Sequence, residues 1–283
     1  MKQKETRDWL KYLVCLIFVG YSIWWLYITF VLKDPTHSST HNQNFTNTYG
    51  VTALLGGVIG LLASRKWGGG RSQVGRALLF FAFGLLLQEF GQITYSVYYY
   101  VLHNSAPYPS IADVGFFGSV LVYIYATWQL AKSVGIKYAL HARSKKMLAI
   151  VLPVVVLVIS YLFFLKGYQF DFSSPKAILT VVLDFGYPLG QAIYIAIALV
   201  TYLLSNKMLG GFMRSKVLLV LAALCVQYAA DFSFLYANKK GTFFAAGAND
   251  YVYLVAYFVM ALALSSFRAK LPAPAPAVQG VAK

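Results

Sequence analysis

The chain has 283 residues, of which 59% are hydrophobic and only 12% charged. Soluble domains run at about 45–50% apolar and about 25% charged, so a water-soluble fold could not cover this much apolar surface, and lipid is the expected solvent. The net charge of +15 would point to nucleic acid if it formed one basic patch; the cations sit instead in short segments between apolar runs, which argues against that partner and makes them determinants of topology.

A membrane-spanning helix needs about 20 mostly apolar residues. Eight runs are candidates, at 9–32, 49–63, 76–102, 112–133, 147–165, 177–205, 217–238 and 250–267, the second of them short. The first is too long for a signal-peptide core and has no small-residue cleavage site after it. A polar outer loop is expected at 34–48, where Asn44-Phe45-Thr46 matches a glycosylation acceptor pattern. The second run carries Gly56, Gly57 and Gly60, which suits close helix packing. Pro153 and Pro188 fall inside the fifth and sixth runs and predict kinks there. The expectation is an all-α polytopic bundle of about eight spans forming one domain over residues 1–270. A Pro/Ala-rich tail at 271–283 is expected to be extended or disordered.

Lysine and arginine placement orients the spans. With the N-terminus inside, the inner segments hold Lys2, Lys4, Arg7 and Lys11; Arg65, Lys66, Arg71 and Arg76; Lys132, Lys137, Arg143, Lys145 and Lys146; Lys207, Arg214 and Lys216; and Arg268, Lys270 and Lys283. The outer segments hold only Lys33, Lys166, Lys176, Lys239 and Lys240. The alternation is kept at every loop, so both termini are expected on the cytoplasmic side.

An internal repeat of helical hairpins is visible. At an offset of 139, Gln88 meets Gln227, Gln92 meets Asp231, Thr94 meets Ser233 and Tyr95 meets Phe234. The returning helices open with Ala112-Asp113-Val114-Gly115-Phe116 and Asn249-Asp250-Tyr251-Val252-Tyr253. A weaker middle copy pairs Ser160-Tyr161 with Asp184-Phe185-Gly186-Tyr187. Membrane proteins built from repeats often place a site between them. The plain reading of Asp113 and Asp250 is helix capping; Asp184, two turns into its run, fits that less well.

Together, Pro107-Tyr108-Pro109-Ser110-Ile111-Ala112-Asp113, Asp184-Phe185-Gly186-Tyr187-Pro188-Leu189-Gly190, and Ala230-Asp231 followed by Asn249-Asp250-Tyr251 resemble the multi-helix membrane sensory region of bacterial diguanylate cyclases and related signalling proteins. The likeness spans residues 78–267. It implies a bacterial inner-membrane protein with a sensing role and carries neither a ligand nor catalytic residues. Those relatives continue into a cytoplasmic output domain, which this sequence lacks, so a sensing role here implies a separate signalling partner.

Ionisable residues inside a span are costly and point to function by default. Glu89, Asp184 and Asp231 are the candidates, accompanied by Gln88, Gln92, Gln191 and Gln227. Helical spacing puts Gln88 with Gln92, Glu89 with Gln92, and Gln227 with Asp231 on shared faces. All the carboxylates of the spans fall at mid-membrane or further out. An acidic outer pocket is therefore expected from Glu89, Gln92, Tyr95, Asp113, Asp184, Tyr187, Gln191, Gln227, Asp231 and Asp250, with Tyr228 and Tyr236 also on its rim. Such a pocket suits a small polar or cationic ligand; the competing reading is a hydrogen-bonded network that holds helices together.

Other chemistries lack their residues. No mid-membrane lysine offers a retinal Schiff base. The four histidines lie in loops, and His37 and His41, four apart, read as a solvated pair rather than a metal site. Cys15 and Cys225 lie in apolar runs and read as small core residues. Gly68-Gly69-Gly70 is a flexible turn, and no nucleophile elbow or phosphate loop is present. No enzyme activity and no cofactor are expected. Membrane lipid is the constant partner. A ligand-binding sensor, a proton- or cation-coupled transporter or channel, and a structural subunit of a membrane complex are the functions left.

Overall fold

The computed structural model describes residues 9–135, 170–208 and 213–268, with single positions between 147 and 162. Among the described residues every regular element is helical. Seven helices are long and apolar enough to cross a membrane, the mark of a multi-pass membrane protein. The run expected to span at 147–165 falls, apart from those single positions, outside the described residues, as does the tail at 271–283.

Helix α1 (Trp9–Leu26) continues into a π-helical stretch, Tyr27–Leu32. A short α2 (Thr40–Thr48) leads through Tyr49 and Gly50 into α3 (Val51–Lys66). There follow α4 (Gln73–Tyr100), α5 (Ala112–Ser133), α6 (Pro175–Met208), α7 (Arg214–Lys240) and α8 (Ala248–Ser266). Helix α6 is continuous through Pro188.

The expected loop at 34–48 is largely helical. Asp34 first gathers the turn: its Oδ1 accepts from the Thr36 hydroxyl at 2.7 Å and the Thr36 N–H at 2.9 Å, its Oδ2 from the N–H groups of Ser38 and Ser39. Ser39 then caps α2 by accepting from the Asn42 N–H. The polar residues of α2 hid it from a hydropathy reading, yet they are spent inside the protein: Asn42 donates to Ala245 O at 3.0 Å, and Asn44 Oδ1 accepts from the Tyr100 hydroxyl. Phe45, on the inner face, is fully buried.

Six helices close into a ring. In order, α3, α4, α5, α6, α7 and α8 each pack on the next, and α8 returns to α3. Small residues allow the approach. A Cβ built on Gly60 would stand 2.8 Å from Ala82 and from Leu264, and one on Gly115 would stand 2.4 Å from the Leu87 carbonyl oxygen. Helix α1 lies outside the ring and buries only Leu10 and Val14. It is antiparallel to α8: Phe18 stacks on Phe258 at 3.9 Å, Trp25 stacks on Tyr251 at 4.4 Å, and the Trp25 indole donates to Ala246 O.

The bundle has a basic end and an acidic end. At the basic end the Trp67 indole donates to Phe267 O at 2.8 Å, Lys66 Nζ to Arg268 O at 3.0 Å, and Lys216 Nζ to Ser266 O. Asp113 and Asp250 open α5 and α8 at the other end. Helices α5 and α6 are parallel neighbours, since Phe117 meets Gly186, Val120 meets Gly190 and Tyr123 meets Tyr194. Helix α5 therefore finishes at the basic end, and α6 starts at the acidic end. The start of α1 and the finish of α8 lie together at the basic end.

Candidate functional site

A cavity opens within the ring at its acidic end. It contains about 590 Å³ of space, part of it open to the outside, and is lined by Thr46, Tyr49, Gln92, Tyr95, Tyr108, Asp113, Phe116, Tyr187, Asp231, Phe234, Leu235, Phe243, Asp250 and Tyr253. Every ring helix except α3 contributes a wall residue; Tyr49, just before α3, stands in for it. Pockets that hold small ligands combine apolar walls with a few polar groups. Six of the expected residues are in this lining: Gln92, Tyr95, Asp113, Tyr187, Asp231 and Asp250.

The three lining carboxylates are only 7, 7 and 3% exposed at Asp113, Asp231 and Asp250, so each must find partners within the protein. Asp113 Oδ1 accepts from the Tyr187 hydroxyl at 3.0 Å, and its Oδ2 from the Ser110 N–H at 2.8 Å. Asp231 accepts from the Tyr253 hydroxyl at 2.6 Å, from Gln227 Nε2 at 3.2 and 3.3 Å, and from Gln191 Nε2. Asp250 Oδ2 accepts from the Thr46 hydroxyl at 2.6 Å and the Ala246 N–H at 2.9 Å.

Asp113 and Asp250 do not cap in the ordinary sense. Each lies inside its helix and takes the N–H of a residue three or four earlier, so it closes the turn that enters the helix. The remaining contact crosses to another element, Tyr187 of α6 or Thr46 of α2. The correspondence between these two aspartates, and the presence of both Gln92 and Asp231 in the lining, fit the repeat seen in the sequence. The α4–α5 and α7–α8 hairpins face each other across the ring.

Four expected site residues stand outside the lining. Gln191 and Gln227 form a layer behind Asp231. Asp184 Oδ1 accepts from the Tyr108 hydroxyl at 2.7 Å, so it holds a wall residue without being one. Glu89 turns to α3's entrance: a Cβ on Gly50 would meet its Oε2 at 2.3 Å, and that oxygen is buried with no hydrogen-bond partner among the described residues. Glu89 and Gln92 are three residues apart, about 60° around a helix, enough to take Glu89 off the cavity face.

Of the tyrosines expected on the rim, Tyr228 packs against Phe232 and Tyr236 is exposed. Tyr236 is five residues past Asp231, about 140° round the helix. Of the histidines read as a solvated pair, His41 is exposed and its Nδ1 accepts from the Trp24 indole at 3.3 Å, while the part-exposed His37 stacks on Phe244 at 3.8 Å. Cys225 is exposed on the bundle surface rather than in a core.

The sequence reading missed Thr46, Tyr49, Tyr108, Phe116, Phe234, Leu235, Phe243 and Tyr253. Tyr108 and Tyr253 lie within the motifs that drew attention: Tyr108 is in the loop that leads into α5, and i, i+3 spacing from Asp250 marks Tyr253. Nothing local marks Thr46, whose place depends on α2 folding back over the ring. Below the cavity the polar residues continue for another turn: Gln88 Nε2 donates to Ser119 Oγ at 2.7 Å and the Tyr257 hydroxyl to Gln88 Oε1 at 3.0 Å. Among the described residues no group of three His, Cys, Asp or Glu could hold a metal ion. No family model, no curated protein and no solved structure matches the chain.

Proposed function

We propose that the chain is a non-enzymatic integral membrane sensor that takes a small polar or cationic molecule into its acidic, aromatic-walled cavity and signals through separate partner proteins. The observation that carries this reading is the cavity itself. A bundle needing only hydrogen-bonded glue would close over its aspartates; this one leaves three of them around open space. The resemblance to bacterial membrane sensory regions supports the same reading.

The proposed topology is eight spans in the bacterial inner membrane, with both termini cytoplasmic. The end of α5 and the start of α6, at opposite ends of the bundle, support one further crossing, and the apolar run at 147–165 has the length for it. The gathering of Lys66, Lys216 and Arg268 at one end supports placing that end inside, so that the cavity faces out.

The test is binding without flux. The full chain in nanodiscs is screened by thermal shift against sugars, polyols, amino acids and ammonium compounds, and each hit is then assayed for uptake into proteoliposomes. The proposal expects a saturable shift that Asp231→Asn weakens at least tenfold, with no accumulation of the hit. A second reading, a proton- or cation-coupled transporter, is favoured by the polar residues below the cavity at Gln88, Ser119 and Tyr257; accumulation of the hit would select it and end the sensor proposal.

A further inference from the structure

We infer that the cavity's ligand is a small organic ammonium, a protonated amine on an apolar body. This rests on the proposed ligand-binding role and narrows it by counting what the walls can still offer. Most hydrogen-bond donors in the lining are spent. The Thr46 hydroxyl is given to Asp250, that of Tyr187 to Asp113, that of Tyr253 to Asp231 and that of Tyr108 to Asp184, while Gln92 Nε2 is given to the Tyr49 hydroxyl. Beyond these, the lining side chains have at most the Tyr49 and Tyr95 hydroxyls and the second N–H of the Gln92 amide left to give.

Acceptors remain. A carboxylate offers about four lone-pair sites, and Asp113 uses two of them. Both bonds to Asp250 end on Oδ2, and Oδ1 takes none among the described residues. A phosphate or carboxylate ligand would need donors and positive charge, yet no lysine, arginine or histidine is among the lining residues. A sugar needs donors and acceptors in comparable number, and the walls supply mainly acceptors. A group that only donates and carries positive charge fits what is left.

The rest of the lining says what the ammonium is attached to. Phe116, Phe234, Leu235 and Phe243 have no polar atom in their side chains, and Tyr49 and Tyr95 add further rings. Aromatic faces attract a cation held within about 6 Å of the ring centre, and they also accommodate a short hydrocarbon chain or a single ring.

The experiment uses matched probes on the full chain in nanodiscs: phenethylamine against 2-phenylethanol, and butylamine against butanol, with phenylacetate and glucose alongside. Calorimetry or thermal shift reads the dissociation constants at neutral pH, where both amines are protonated. The expected result is at least tenfold tighter binding of one or both amines than of the matched alcohol, about 1.4 kcal/mol, and loss of that preference in Asp250→Asn. The alcohol comparison is made on the unaltered protein, so it stands even if the variant fails to fold. Equal binding of amine and alcohol, or tighter binding of phenylacetate or glucose, overturns the ammonium inference while leaving a ligand-binding cavity. No saturable binding by any compound of this panel or of the wider screen overturns both.

Discussion

Replacing Asp231 separates a ligand site from structural glue. In Asp231→Ala, three donors on three helices lose their acceptor at once: Gln191 Nε2 of α6, Gln227 Nε2 of α7 and the Tyr253 hydroxyl of α8. Hydrogen bonds within membrane bundles average about 0.6 kcal/mol each, with a maximum of about 1.7 kcal/mol. The loss is therefore about 2 kcal/mol, with a ceiling of about 5 kcal/mol if every donor is left stranded. Asp231→Asn keeps one acceptor oxygen and should lose about 1 kcal/mol. Reversible unfolding in mixed micelles with increasing SDS mole fraction measures both. A change below about 0.5 kcal/mol in the alanine variant would refute the hydrogen-bond assignment. If the asparagine variant is as stable as the native chain yet binds none of the screened compounds, the carboxylate is there for the ligand, since functional sites commonly trade stability for activity.

Gly115→Ala should push α4 and α5 apart, because the added methyl would lie 2.4 Å from Leu87 O and 2.8 Å from the Gly91 nitrogen. Overpacking of this kind costs about 1–3 kcal/mol, whereas Gly20→Ala, with nothing within 4 Å, should be neutral or stabilising in the same unfolding assay. Thr46→Val removes the hydroxyl that bridges Asp250 and the Ala246 N–H, and should loosen α2 from the ring, read as faster amide exchange over residues 40–48 with the core unchanged. The Asp34 carboxyl is held down from its ordinary 3.8 to about 2 by the hydroxyl and N–H of Thr36, helped by the N–H groups of Ser39 and Ser38. A lowered pKa gives stability that is complete above the ordinary value and lost as pH falls through about 2. Amide protection factors at Thr36, Ser38 and Ser39 should therefore be unchanged from pH 7 to pH 5 and fall in Asp34→Ala; a loss between pH 7 and pH 5 would contradict the assignment.

The spanning helices were legible because lipid imposes a length and a composition on each of them. Asp113, Asp231 and Asp250 were legible because a carboxylate in or beside an apolar run is conspicuous, and their shared cavity follows from the hairpin repeat. The closure of the ring was not legible, since helix adjacency depends on packing between distant segments such as Gly60 with Leu264. Helix α2 was hidden because its polar side chains bond to the 245–246 turn and to α4 rather than to water. Glu89 misled for a rotational reason: within one turn of Gln92 it belongs to the neighbouring face, against Gly50. Of the aromatic walls only Tyr95 and Tyr187 were picked out, as the chain has 22 tyrosines and 21 phenylalanines and the fold selects those that meet.

The most direct test of an outward-facing acidic cavity is accessibility of its wall from one side of the membrane. With Cys15 and Cys225 replaced by serine, Tyr95→Cys is exposed to a membrane-impermeant thiol reagent in right-side-out and in inverted vesicles, and Arg268→Cys serves as the marker of the basic end. The account predicts that Tyr95→Cys reacts only in right-side-out vesicles and Arg268→Cys only in inverted ones. Reaction of Tyr95→Cys from the inverted side alone, or from neither side when detergent-unfolded protein reacts fully, would contradict it.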